Sequence, residues 1–250
     1  MKLAGRVAMV TGGGSGIGRA ICLALSREQA SVVVADVNDV GARATAESIA
    51  AEGGKALALR MDITSAAEVG RAVNQAGQHF GPVDILVNNA GWDKVMPFME
   101  TTEELWDKLI AINLKGHMVV TKAVLEGMIA RQYGKIVNIS SDAGRVGSSG
   151  EVVYSAAKAG ILGFTKALAR EMARYNITVN ALCPGPTDTP LFADIARDTP
   201  RLAESLIRAI PMRRLARVQD VAAAVVFFAS RDSDYITGQA LSISGGLSMV

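Results

Sequence analysis

Seven short apolar runs punctuate the chain: "RVAMVT", "SVVVAD", "KALALR", "DILVNN", "KIVNIS", "ITVNALC" and "ALSIS". Segments of helical length and pattern separate them, and this alternation constrains the fold more than any other feature. Each run is short and lacks regular polar alternation, which reads as a strand buried on both faces. Helical patterns begin at Ile17, Val40, Ala66, Glu103, Val152 and Val221. Such alternation predicts an α/β fold: one doubly wound parallel sheet of about seven strands, Rossmann-type, with helices on both faces and right-handed crossovers. No linker, repeat or low-complexity tract divides the 250 residues, half of them hydrophobic, so one domain over 1–250 is expected. The long stretch without strand character, Pro184 to Ile210, is expected to carry a substrate lid near 185–210.

Bulk properties exclude several classes. A formal charge of +2 gives no electrostatic reason for a nucleic-acid or membrane-surface partner. The N-terminus "MKLAGRVAMVTGGG" reaches glycines before a signal-peptide core forms. The longest apolar run, "VAAAVVFFA" from Val221, is far shorter than the roughly 20 residues that span a bilayer. A cytoplasmic location is expected, with Cys22 and Cys183 as buried free thiols. His79 and His117 are too few and too far apart to suggest a metal site.

In an open parallel sheet, ligands bind outside the carboxyl ends of the strands where the winding direction switches. "TGGGSGIGRAI" follows the first strand and opens the first helix, so Gly12, Ser15, Gly16, Ile17 and Gly18 are candidates to meet a pyrophosphate at the helix N-terminus. The usual G-x-G-x-x-G spacing is only approximated, because Arg19 stands three beyond Gly16. Asp36 ends the second strand, where a carboxylate can accept from both ribose hydroxyls and repel a 2′-phosphate. NAD is therefore expected rather than NADP, with a simple helix cap near Asn38 as the alternative role. Ser15, where a basic residue would serve a 2′-phosphate, points the same way. "MDIT" places Asp62 and Ile63 at an adenine edge, or Asp62 as a cap before Ser65. "NNAG" ends the fourth strand with Asn89, Ala90 and Gly91, small enough for close cofactor approach or simply a turn.

The fifth strand ends in Ser140 and Ser141, and a helix soon afterwards carries Tyr154 and Lys158 one turn apart. A phenol with an ordinary pKa of about 10 is a poor base at neutral pH, and a nearby ammonium would lower it. Alone the pair would be an ordinary surface contact; beside a strand-end serine and a glycine turn it suggests a proton shuttle.

"TGGGSGIG", "NNAG", Asn113 in "AINLKG", Ser141, "YSAAK" and "PGPTDT" together resemble the short-chain dehydrogenase/reductase family along essentially the whole chain. The resemblance implies that Ser141 orients the substrate oxygen and that Tyr154 exchanges its proton. Lys158 would lower the tyrosine pKa and hold the nicotinamide ribose beside Tyr154, and Asn113 would support a water-linked relay. Pro184 and Gly185 would turn against the nicotinamide, with Thr187 by its backbone and Thr189 by its hydroxyl on the carboxamide. The reaction implied is NAD-dependent interconversion of a secondary alcohol and a ketone. Trp92, Lys94, the loop "AGRVGSSGEVV", Leu191, Phe192 and Ile195 are expected around a small-molecule substrate.

Arg197, Arg201, Arg208, Arg213, Arg214 and Arg217 make the lid locally positive, suited to a CoA phosphate or merely to a solvated face. "NNAGWD", "SDAGRVGSSGEVVY" and "CPGPTDT" are similar to 2-hydroxycyclohexane-1-carboxyl-CoA dehydrogenases, which favours a 2-hydroxycycloalkane-carboxyl-CoA or related hydroxyacyl-CoA substrate. A 3-oxoacyl thioester reductase acting on carrier-protein or CoA substrates is the alternative enzyme, and a non-catalytic dinucleotide sensor the alternative of another class. The all-round apolar "VAAAVVFFA" helix and the family likeness predict a homo-oligomer, dimer or tetramer.

Overall fold

The computed structural model describes residues 1–198 and 200–250; the side chains of Leu191, Asp194, Ile195, Asp198, Pro200, Leu202 and Ala203 lie outside the description. All seven expected strands form: β1 Val7–Thr11, β2 Ser31–Asp36, β3 Lys55–Arg60, β4 Ile85–Asn88, β5 Gly134–Ile139, β6 Ile177–Pro184 and β7 Ala240–Ile243. They make one parallel sheet in the order β3-β2-β1-β4-β5-β6-β7. The helices are α1 Gly16–Arg27, α2 Asp39–Ala51, α3 Ala66–Phe80, α4 Glu103–Ile110, α5 Gly116–Arg131, α6 Ala143–Val146, α7 Val152–Met172, α8 Pro190–Asp198, α9 Pro200–Ala209 and α10 Val218–Ala229.

Alternate strand residues feed two cores, which is why the strands read as unbroken apolar runs. Ala8, Val10, Val32 and Val34 pack with Ile21, Leu25, Ile49, Val225 and Phe228 of α1, α2 and α10. Met9, Val33 and Ala35 turn to the other face, against Val69, Val120, Met128 and Met172 of α3, α5 and α7. Burial on both faces holds for the five inner strands; β3 and β7 are only partly buried because they are the edges of the sheet.

The helical expectations differ from the structure in four places, one being α6, a single turn inside the expected loop "AGRVGSSGEVV". α5 is buried along much of its length and nearly uniform in polarity, so it shows no contrast between faces. α10 starts at Val218, one turn earlier than its apolar run, with Asp220 accepting from the backbone N–H of Arg217 at 2.8 Å. The segment near 185–210 is largely two helices, α8 and α9. Between α4 and α5 the chain makes a π-helical turn, Ala111–Lys115.

From β1 the chain winds outward through β2 and β3, then returns to β4 on the other side of β1. The ends of β1 and β4 therefore border the switch point, and the glycine turn and "NNAG" meet there.

Candidate active site

A cleft of about 700 Å³ opens at this switch point. Its lining brings together twelve of the residues singled out from sequence: Gly12, Ser15, Gly16, Ile17, Gly18, Asp36, Asp62, Ile63, Asn89, Ala90, Gly91 and Thr189. Sequence reading missed Val37, Met61, Thr64, Lys108, Ala111, Ile112 and Pro190, whose place follows from neighbouring elements. Trp92, expected near the substrate, lines the same cleft, with the Lys108 ammonium 3.9 Å from its ring centroid.

The glycine turn fits a pyrophosphate cradle by a local test. A Cβ on Gly18 would lie 1.9 Å from the Gly12 carbonyl oxygen, so the turn closes only on hydrogen there. Gly12 itself has φ +64°. Helices α2, α3 and α4 are capped by the side chains of Asn38, Ser65 and Thr102, whereas Ser15 makes no side-chain cap on α1 and no acid stands in its first turn. The first N–H groups of α1 thus remain available to an anion at the cleft.

Asp36 is not the cap of α2; Asn38 is, accepting from the Gly41 N–H at 3.2 Å. The Asp36 carboxylate instead accepts from the Gly14 N–H and the Asn38 N–H, each at 2.9 Å, which aims it beside the glycine turn with lone pairs to spare. Nor does Asp62 cap α3. It accepts from the Thr64 N–H at 2.8 Å and the Thr64 hydroxyl at 2.7 Å, while Ser65 takes the cap. Asn89 braces the turn, its amide donating to the Thr11 and Gly12 carbonyls at 3.0 and 3.1 Å. These residues fit a nicotinamide dinucleotide.

Pro184, Gly185 and Thr187 stand outside the lining of this cleft. Gly185 donates to Ile243 of β7 at 3.0 Å, and a Cβ there would meet Ser244 at 2.9 Å. The Thr187 hydroxyl donates to the Gly185 carbonyl at 2.8 Å. Thr189 reaches the cleft, accepts from the Phe192 N–H at 3.2 Å to start α8, and packs over Gly16. The expected lining residues Leu191 and Ile195 lie outside the described side chains.

The catalytic candidates converge beside the cleft. Ser140 is buried and donates to the Lys158 carbonyl at 2.8 Å, which ties β5 to α7 and removes it from chemistry. Ser141 is half-buried; its hydroxyl accepts from the Ala143 N–H at 3.1 Å and acts on the Tyr154 phenol, favouring its ionised form. Lys158 is buried, donates to the Ile139 carbonyl at 3.0 Å and has its ammonium 5.6 Å from the Tyr154 ring centroid. Burial pushes that ammonium down from 10.5 to about 8, with Cys183 and Asp93 pulling upward.

The expected lowering of the tyrosine does not appear. Part of the Tyr154 ring reaches solvent, yet the phenol is desolvated, and this burial, followed by the charges of Asp93 and Glu151, raises it above its ordinary value; only Ser141 opposes. Asn113 is wholly buried in the π-helical turn. Its amide donates to the Trp92 and Leu109 carbonyls at 2.7 and 3.0 Å and its oxygen accepts from the Trp92 N–H at 3.1 Å. His117, set aside in the sequence, holds Ala90: its Nε2 lies 2.9 Å from the Ala90 carbonyl. Burial and the Lys158 charge push its imidazole down to about 3, so it is neutral and donates from Nε2.

Among the described residues no cluster of three potential metal ligands exists, and no helix is long and apolar enough to cross a membrane. Cys22 and Cys183 are free and buried, with both thiols pushed up by burial.

A doubly wound parallel sheet with a glycine-lined cleft at its switch point marks a nucleotide-binding class. The chain belongs to the short-chain dehydrogenase/reductase family: the family described as enoyl-(acyl carrier protein) reductase matches residues 12–248. It is 36% identical to the 3-oxoacyl-[acyl-carrier-protein] reductase FabG of Thermotoga maritima, over 99% of each chain. It is 38% identical to a (2S)-[(R)-hydroxy(phenyl)methyl]succinyl-CoA dehydrogenase subunit, BbsD, of Thauera aromatica, covering 100% of this chain and 99% of that one. The crystal structure of levodione reductase superposes with a TM-score of 0.94 at 33% identity, covering 98% of both chains. A cyclohexane ring is not the feature that the two relatives share in name; an acyl carrier is.

Proposed function

We propose that the chain is an NAD-dependent reductase that interconverts a 3-oxoacyl thioester, on CoA or a carrier protein, with its 3-hydroxy form. A ring substrate such as a 2-hydroxycycloalkane-carboxyl-CoA is one member of that class, since its hydroxyl stands beta to the thioester. The observation that carries the reading is the convergence of Ser141, Tyr154 and the buried Lys158 ammonium beside a cleft that Asp36 lines. Full-length likeness to two proteins named for acyl-thioester chemistry supports the substrate class.

A bound nicotinamide supplies the hydride to the carbonyl carbon, or takes it back in oxidation. Ser141 donates a hydrogen bond to the carbonyl oxygen and sets its position. Tyr154, kept protonated by burial and by the charges of Asp93 and Glu151, is in the form that gives that oxygen its proton. Lys158 stands behind the tyrosine as the next proton source, cationic below about pH 8. Asn113 fixes the Trp92 backbone and so holds that part of the cleft lining in place. Asp36 would accept the ribose hydroxyls and repel a 2′-phosphate. The helical segment α8–α9 is proposed as the lid, and the partly exposed apolar face of α10, including Phe227, as part of a homo-oligomer contact.

Tyr154→Phe tests the reading with acetoacetyl-CoA and NADH. Steady-state rate should fall about 10²- to 10⁴-fold, the range of one general acid, while NADH affinity by fluorescence titration stays within a few-fold. A variant as fast as the parent would remove Tyr154 as the proton carrier.

A further inference from the structure

Helix α6 is a single turn between Ser141 and Tyr154, too short to persist on its own. It is held from three sides. Gly144 lies flush on α7: a Cβ there would stand 2.6 Å from the Lys158 carbonyl carbon and 2.8 Å from the Ala159 nitrogen. The Asp142 N–H donates to the Pro184 carbonyl of β6 at 3.1 Å. The third tie runs through side chains to the edge strand β7. Arg145 donates from one guanidinium nitrogen to the Ala240 carbonyl at 3.3 Å and to the Ser242 hydroxyl at 3.0 Å, and Ser242 donates onward to the Asp142 carboxyl at 2.6 Å. Asp142 is 5% exposed, and among the described residues this is the only bond its carboxyl receives. Bonds chained in this way from a cation to a carboxyl polarise one another.

The same turn sets Ser141. Its hydroxyl accepts from the Ala143 N–H at 3.1 Å, and its carbonyl accepts from the Gly144 N–H at 3.0 Å. With that N–H delivered to its oxygen, the hydroxyl keeps its own hydrogen for an outside acceptor. A frayed α6 would withdraw the Ala143 N–H and free the serine to rotate.

We propose that Arg145 is a positioning residue for the reaction: through Ser242 and Asp142 it anchors α6 to β7 and so aims the Ser141 hydroxyl at the substrate oxygen. The inference rests on the role given to Ser141 above. Arg145 is not among the residues that line the cleft, so its effect reaches the chemistry without a contact to the dinucleotide.

The test uses the full chain with NADH and acetoacetyl-CoA. Arg145→Met keeps the length and loses the donor; kcat should fall about ten- to a hundredfold, as when a positioned group is displaced slightly. NADH affinity by fluorescence titration should not change. Arg145→Lys retains a cationic donor and should recover most of the rate. The decisive measurement is a double-mutant cycle: in a Ser141→Ala background Arg145→Met should cost less than about twofold, because the group it places is gone. A merely structural role would cost the same in both backgrounds. Urea midpoints show that each variant is folded, and if Arg145→Met is not, Ser242→Ala cuts the same tie and carries the same cycle. Equal costs with and without Ser141, or an unchanged kcat in Arg145→Met, overturn the proposal while the function reading stands. A Ser141→Ala variant as fast as the parent overturns both.

Discussion

Replacing Lys158 with methionine should make the protein more stable while abolishing its activity. The folded chain keeps this ammonium wholly buried, and its pKa falls from 10.5 to about 8. At about 1.4 kcal/mol for each tenfold change in proton affinity, holding the charged form inside costs about 3 kcal/mol. Methionine matches the length and removes that penalty, but it forfeits the 3.0 Å bond to the Ile139 carbonyl, worth about 1 kcal/mol. The expected gain at neutral pH is about 2 kcal/mol. Its pH dependence follows from linkage. Between about 8 and 10.5 the unfolded state binds more protons at this position, so the parent grows more stable with rising pH and the advantage of Lys158→Met shrinks across that window. Urea unfolding of parent and variant, at one protein concentration and at several pH values from neutral upward, reads the difference directly. A variant no more stable than the parent at neutral pH, or a gap that does not close as pH rises, would refute the reasoning.

Asp36→Asn should relax the choice of dinucleotide, raising kcat/KM with NADPH relative to NADH about tenfold or more, as expected when a charge facing a phosphate is removed; steady-state ratios check it. Asn138→Ala should destabilise the fold by about 2–3 kcal/mol without touching the site. It leaves a buried amide of Asn88 and the Thr165 hydroxyl without partners they now hold at 2.9 Å; urea midpoints measure it.

The strands were legible because both faces of the inner five are buried, so their sequences could only be continuous apolar runs. α5 was missed for the complementary reason: Val120, Val124 and Met128 are buried while other apolar residues face outward, and no face stands out. The glycine turn, Asp36 and the Ser141, Tyr154 and Lys158 set could be singled out because each lies at a strand end or at fixed helical spacing. Asp93 could not. It shares a cavity with Leu105 and Leu109 of α4, and its carboxyl is raised by burial and then by Glu151, which the sequence spacing does not bring near it. The direction of the tyrosine shift failed for the same reason: spacing reports that Lys158 is near, but not that its ammonium is turned to Ile139 or that two carboxyls lie closer in effect.

The floor of the cleft shows how side chains take over backbone groups that leave a sheet. Beyond Asn88 the chain leaves β1 and β5 at the switch point, and "NAGW" has no strand to bond. Side chains from three elements replace it. The Thr11 hydroxyl of β1 accepts from the Asn89 and Ala90 N–H groups at 3.0 Å each. His117 of α5 takes the Ala90 carbonyl, and Asn113 takes both the N–H and the carbonyl of Trp92. Asn113 can do so because the π-helical turn puts its amide against a glycine: a Cβ on Gly91 would stand 3.0 Å from the Asn113 oxygen and 3.4 Å from the Lys158 ammonium. His117 has to be neutral for this, since its Nδ1 has no partner and a second buried proton would have nowhere to donate. With its imidazole titrating at about 3, this wall of the cleft keeps its bonds across the whole range in which Lys158 and Asp93 change charge.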